Sequence, residues 1–230
     1  MQMNDDLRAM ARHRYGYGCW NAPYWFLGLE EGMDRGESED RSERIAAWRY
    51  LGSRELDDCQ KFHDRIFALI KKKNGLHGDD AILQRTWRKL LLALMAFSSG
   101  PPDEASLLGY QRKQWGCHSG ETCLIELSGL AARGVNEDIP HDLFQKERIE
   151  FISAKIDERH PAFVIMYGKR SHGAYRKIAE KAKAVKIEES PFAEFLKCGS
   201  TILALTPHPV SWGPTVEDWK ELGRTIRRLA

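Results

Sequence analysis

The sequence predicts an α/β fold of three layers, with helices on both faces of a central, mainly parallel sheet. Three observations carry that expectation. The apolar runs "YWFLGL" (24–29), "PAFVIMYG" (161–168) and "TILALT" (201–206) are continuous rather than alternating, the pattern of strands buried on both faces. The segments between such runs carry helical periodicity, which places crossovers between parallel strands. Glycine, proline or charged residues close each run, as expected where a strand gives way to a connection.

Residues 1–20 read as an N-terminal arm. Its "RYGYGCW" stretch (14–20) is rich in glycine and aromatics but precedes a strand, so it is no dinucleotide-binding turn. It is expected to pack over the sheet edge, with its tyrosines available to flank a site. The first strand enters through Pro23 and leaves at Gly32, and the polar stretch "GMDRGESEDRSER" (32–44) reads as a loop near the strand tip. Residues 40–115 form a helical insertion to which the sequence assigns no role. Ile45, Trp48 and Leu51 recur at helical spacing there, as do Phe62, Ile66, Phe67 and Ile70, and "WRKLLLALMAF" (87–97) is the most apolar helix. "SSGPPDE" then breaks the pattern.

A second strand fits "ETCLIELSG" (121–129), followed by an amphipathic helix with Ile149, Phe151, Ile152 and Ile156 on its apolar stripe. The strand at 161–168 precedes a basic helix. Ser190 and Pro191 have the N-cap and first-turn signature of a short helix ending near Gly199. "TILALTPHP" is the last strand, and Thr215 with Asp218 forms a capping box for the closing helix, "VEDWKELGRTIRRL". No repeat, low-complexity tract or linker interrupts residues 1–230, which read as a single domain.

A net charge of +2 admits a nucleic-acid partner without requiring one. No apolar run approaches the roughly 20 residues that span a bilayer, and the charged start "MQMNDDLRAMARHR" is unlike a secretory signal. Five cysteines without a C-x-x-C pair point to free thiols in the reducing cytoplasm. No obligate protein partner is evident.

In a parallel sheet, ligands bind beyond the carboxyl ends of the strands. Glu30 and Glu31, residues 126–129, 168–170 and 206–213 therefore converge on one crevice. A carboxylate such as Glu30 at the mouth of an apolar strand can activate water or stabilise a cationic sugar; it can equally cap a helix or pair with an arginine. His208, held between Pro207 and Pro209, is placed to donate to an anionic leaving group; the alternative is a structural histidine.

These residues carry a family resemblance. "WFLGLEEG" resembles the first signature of the uracil-DNA glycosylase-like superfamily, an apolar strand ending in glycine and an acid or amide. "PAFVIMYGKRSHGAYRKIA" resembles the strand–Gly–Lys/Arg–helix segment before the last motif. "LTPHPVSWG" is similar to the second signature, His-Pro-Ser with a DNA-entering loop, and "CLIELSG" fits the intervening strand that carries the base-reading asparagine. The matched pieces run from Trp25 almost to the end in family order. Glu31 stands where proline is usual, Val210 where serine follows His-Pro, and Glu126 where the asparagine is expected. Only Cys19 precedes the first signature, unlike the iron–sulfur branch, so neither a cluster nor any other cofactor or metal is expected.

The resemblance implies a metal-independent, monofunctional enzyme that hydrolyses the N-glycosidic bond of a base flipped out of DNA. Glu30 would orient water and stabilise the oxocarbenium-like sugar. His208 would stabilise the departing base, and Gly28 would allow the nucleotide close approach. Glu31 lies beside the base as well, and two close carboxylates can leave one protonated. An ionised Glu126 accepts hydrogen bonds only, which suits an exocyclic amino group and hence a modified cytosine, as in foreign phage DNA, more than uracil in repair. The alternative for Glu126 is a salt bridge or an outward orientation.

Lys169 and Arg170 are the expected phosphate contacts, while the lysines that follow, to Lys186, can form a solvated helix face. The resemblance puts Ser211 and Trp212 in the DNA-entering loop, Trp212 either as an apolar wedge or packed beside Trp219. Trp48, Tyr50 and Trp115 are candidates to stack on the base. Cys117, His118 and Cys123 have no common zinc spacing. Two rival readings remain. One is a non-catalytic nucleic-acid or nucleotide-binding module; the other is a metal-dependent phosphoesterase that uses Glu30 and Glu31 as ligands.

Overall fold

A computed structural model describes residues 4–32, 41–100, 102–132, 140 and 142–230. Among these the chain forms eight strands and eight α-helices. In order they are α1 (Asp5–His13), β1 (Gly16–Gly18), β2 (Tyr24–Gly28), α2 (Arg41–Tyr50), β3 (Leu56–Asp57), α3 (Cys59–Leu69), α4 (Arg85–Ser98) and α5 (Glu104–Lys113). Then follow β4 (Thr122–Glu126), α6 (Gln145–Arg159), β5 (Phe163–Tyr167), α7 (His172–Lys181), β6 (Val185–Glu189), β7 (Glu194–Cys198), β8 (Thr201–Thr206) and α8 (Val216–Leu229). All strands join one sheet in the order β3-β1-β4-β2-β5-β8-β7-β6.

The four continuous apolar runs are its centre. β4, β2, β5 and β8 are mutually parallel, with Phe26 opposite both Leu124 and Ile165, and Ile165 opposite Ala204. Alternate residues serve opposite faces. Phe26, Leu124, Phe163 and Ile165 pack under α3, α4 and α8, whereas Trp25, Leu27, Val164 and Met166 pack under α6 and α7. Burial on both sides is what makes the strands read as unbroken apolar runs. Arg148 of α6 is itself fully buried and donates to the carbonyls of Ala11 (3.0 Å), Arg14 (2.9 Å), Glu126 (2.6 Å) and Leu127 (2.9 Å). Those four acceptors compensate a guanidinium that burial would otherwise make costly.

The flanks correct the sequence reading. The sheet as a whole is mixed, because β1 runs antiparallel to β4 and β7 antiparallel to both β6 and β8. The "YGYG" stretch is an inner strand of that sheet, not an arm laid over its edge. Ser190–Pro191 starts no helix: Glu194–Cys198 is a strand, with Phe195 on one face of the sheet and Leu196 on the other. The Ser190 hydroxyl instead accepts from the backbone of Ala193 at 3.0 Å, closing the β6–β7 turn. The basic helix ends at Lys181, and Lys186 belongs to β6, paired with Glu189.

The helical segment 40–115 covers one face of the sheet through α4, where Leu90 to Met95 are all buried. Residues 33–40 of the expected polar loop lie outside the described residues. The capping box of α8 is formed as expected, with both Thr215–Asp218 bonds present. No helix among the described residues is long and apolar enough to cross a membrane.

Candidate active site

After β2 the chain adds β3 and β4 on one side of it, and after β5 it adds β6, β7 and β8 on the other side. The connections therefore diverge between the tips of β2 and β5, the topological switch point at which open α/β sheets bind ligands. Gly168, just past β5, has φ +110°. This glycine-favouring conformation lets the chain turn at once into the short 3-10 segment of Lys169, Arg170 and Ser171.

Two cavities open there. The outer one, of about 740 Å³, is lined by Lys169, Arg170, Ser211 and Trp212 among others. The inner one, of about 460 Å³, is walled by Phe26, Trp115, Glu31 and Glu126, with Phe67 and Trp87 from the helical segment on its far side. Glu30, Tyr167 and His208 line both cavities and so form the partition between them. Tyr167 was not evident from sequence, although its place as the last residue of an apolar strand, before glycine, marks it as a polar tip. Its ring meets that of His208 edge-on at 5.6 Å.

His208 is tethered at both ends. Its Nδ1 accepts from the Val210 backbone N–H at 3.3 Å, and its carbonyl accepts from the Ser211 backbone (2.9 Å) and hydroxyl (2.7 Å). Burial pushes its pKa below the usual histidine value. The imidazole is accordingly neutral, with its proton on Nε2, a donor that needs no prior protonation. The Ser211 hydroxyl, expected on DNA, is engaged in this turn. Trp212 is fully exposed at 102 %, whereas Trp219 is buried against Phe192, so the two tryptophans do not pack together. Lys169 and Arg170 are exposed at the cavity rim.

The adjacent acids differ in kind. The chain past β2 is held by the chain past β4, through Leu127 N–H to Gly28 O (2.9 Å), Ser128 N–H to Leu29 O (2.6 Å) and Ala132 N–H to Glu31 O (2.9 Å). On that ledge Glu31 turns into a cage of Arg14 (3.3 Å), Arg44 (2.9 Å), His63 (3.4 Å) and the Tyr17 hydroxyl. Although burial opposes its charge, the two guanidiniums hold its pKa well below the usual carboxylate range. Arg14 is shared with Asp57 at 2.8 Å. Glu31 is thus an ionised structural hub on the cavity wall.

Glu126 is the reverse. Its Oε2 is buried without a hydrogen-bond partner. Burial, then the charges of Glu31 and Glu30, drive its pKa well above the usual value. Both influences favour its protonated form, with one donor and one acceptor, over an ionised form that only accepts. Gly28 serves this acid, since a Cβ there would stand 2.6 Å from Glu126 Oε2 and 2.5 Å from the Tyr167 hydroxyl. The glycine makes room for two protein side chains rather than for a nucleotide alone.

Of the aromatic candidates, Trp115 lines the inner cavity, tilted against Phe26 at 4.8 Å. Trp48 and Tyr50 do not line it: Trp48 bonds the Arg54 carbonyl at 2.8 Å, and Tyr50 lies under the Arg65 guanidinium. Cys117, His118 and Cys123 form no metal-ligating group among the described residues. Cys117 Sγ meets the Lys113 carbonyl and His118 Nε2 the Leu56 carbonyl. All five cysteines are free thiols. No protein-family model matches the chain, and a search of the curated proteins finds no significant relative.

Proposed function

We propose that this protein is a DNA glycosylase, a divergent member of the uracil-DNA glycosylase-like superfamily, which hydrolyses the N-glycosidic bond of a flipped-out base. One observation carries the reading: Glu30 and His208 stand on the partition between a basic outer cleft and an inner aromatic pocket. A nucleotide with its phosphates in the outer cleft and its base in the inner pocket would have its glycosidic bond at that partition.

Glu30 would orient a water for attack at the anomeric carbon and stabilise the positive charge developing on the sugar. The base leaves with the bonding electron pair, and the Nε2–H of His208 stabilises the resulting anion. The water's hydroxyl ends on the sugar and its proton on the base. Lys169 and Arg170 supply phosphate contacts, and exposed Trp212 can fill the gap left in the stack.

A neutral Glu126 can pair with N3 and the amino group of a cytosine or with O4 and N3–H of uracil, so it does not by itself choose between them. The volume of about 460 Å³ exceeds what one pyrimidine ring fills, which supports a base bearing a substituent, such as a modified cytosine.

The test is base release from oligonucleotides carrying uracil, hypoxanthine, hydroxymethylcytosine or glucosylated hydroxymethylcytosine, followed by alkaline strand cleavage. Each reaction is run with and without EDTA, and Glu30→Gln is the control. Alkali-labile sites at one base, lost in the variant, are expected. DNA binding without abasic sites on any substrate would replace this reading by the non-catalytic binding module. Phosphodiester cleavage abolished by EDTA would replace it by the phosphoesterase.

A further inference from the structure

Cys59, His63 and His77 form a second constellation, outside the chemistry of the cleft. All three are buried, and their ligand atoms lie within 4.8 Å of one another. Cys59 opens α3 and His63 follows one turn later, so the helix presents both on one face. His77 comes from the 70–84 segment, which contains neither helix nor strand. There the side-chain oxygen of Asn74 accepts from the backbone N–H groups of Leu76 (2.9 Å) and His77 (3.0 Å), fixing the turn that delivers the imidazole.

Both sulfur–nitrogen spacings are those of a tetrahedral site. Cys59 Sγ lies 3.5 Å from His63 Nδ1 and 3.6 Å from His77 Nε2. Zinc bonds of about 2.3 Å to sulfur and about 2.0–2.1 Å to nitrogen, at tetrahedral angles, put S and N about 3.5 Å apart. We propose that Cys59, His63 and His77 bind one zinc ion, which fastens the 70–84 segment to α3 and so holds the far wall of the inner cavity. This inference does not rest on the glycosylase reading.

The surroundings suit the ion. His63 Nε2 lies 3.4 Å from Glu31 Oε1. A ring bound through Nδ1 would therefore donate its other N–H to a carboxylate, as metal-bound histidines regularly do. Trp87 packs on both imidazoles, at 6.0 and 5.9 Å between ring centroids, and shields them from water. His77 is a neutral ligand, its pKa brought down to about 4 by burial and by His63. Burial raises the Cys59 thiol well above its usual value, and zinc binding displaces that proton into solvent. His63 Nδ1 also meets the Cys59 carbonyl at 2.8 Å, a contact that orients the ring without an ion and yields when one binds. Three protein ligands leave the fourth position to water. The buried Gln111 amide already holds the segment to α5, donating to the Leu76 and Ile82 carbonyls at 2.8 and 3.0 Å, and the ion adds a tie to α3.

The experiment is metal analysis of the full chain, purified without a histidine tag, followed by cobalt titration of the stripped protein. About one zinc per chain is expected. Cobalt should give a thiolate charge-transfer band in the near ultraviolet and the visible spectrum of a four-coordinate ion. Cys59→Ser should abolish the band, and His77→Ala should weaken zinc binding by about tenfold or more. Stripped wild-type chain that keeps its circular-dichroism spectrum yet takes up neither zinc nor cobalt would overturn the proposal and leave the trio as a hydrogen-bonded core. Because this result is read on the wild type, it stands even if a variant fails to fold.

Discussion

Glu30 and Glu31 are consecutive, yet they belong to different regions of the molecule. Glu30 stands on the partition between the two cavities at the strand tips, while Glu31 turns into a cage of two arginines, a tyrosine and a histidine. The difference shows that partners, rather than the residue type, decide what a carboxylate does. The cage holds Glu31 ionised, and that fixed charge adds to burial in raising the pKa of Glu126. Environments that push neighbouring acids apart in pKa are how one pocket acquires several carboxyl roles.

Four substitutions separate the two carboxylates and their surroundings. Glu31→Ala leaves Arg14 and Arg44 buried without their shared anion and should cost about 3–5 kcal/mol of stability, read by urea denaturation. A loss below about 1 kcal/mol, as for an exposed pair, would mean the cage is not structural. Glu30→Gln should leave stability near wild type and lower base release by about 10²–10³-fold, equivalent to about 2.7–4 kcal/mol. Full activity in that variant would remove Glu30 from the chemistry.

Glu126→Gln tests the neutral acid. The folded-state pKa of Glu126 lies above its unfolded value of 4.5, so the stability contributed by its proton is fully present below that pH and lost as pH rises through the folded value. Glutamine cannot titrate. The variant should match wild type in acid and exceed it by about 1–3 kcal/mol at alkaline pH, read by thermal unfolding across pH. Parallel pH profiles would return Glu126 to the ionised state. Trp212→Ala should have the smallest effect, a loss of about tenfold (about 1.4 kcal/mol) in duplex binding with the melting temperature unchanged. A lowered melting temperature instead would make Trp212 a packing residue.

Much of the architecture is legible locally. Burial on both faces writes β2, β4, β5 and β8 as unbroken apolar runs, and proline and glycine mark their ends. Those patterns suffice to bring Glu30, Lys169, Arg170 and His208 to one edge of the sheet. The flanks are not legible in the same way. "SPFAEFLKCG" carries a helix-start signature, but pairing with β8 and β6 overrides it. β1 is only three residues long and is a strand because β3 and β4 flank it.

Local pattern along the chain suffices for the α/β class, the central parallel strands and the placing of Glu30 and His208 at their tips, because strand burial and turn chemistry act on neighbouring residues. Folding in space was needed to cage Glu31, to bury Glu126 so that its pKa rises, and to bring Cys59, His63 and His77 together. Arg14, Arg44 and His63 reach Glu31 from three separate helices or their ends. Ionisation and coordination depend on distance through space and on exclusion of water, neither of which is written in the order of residues along the chain.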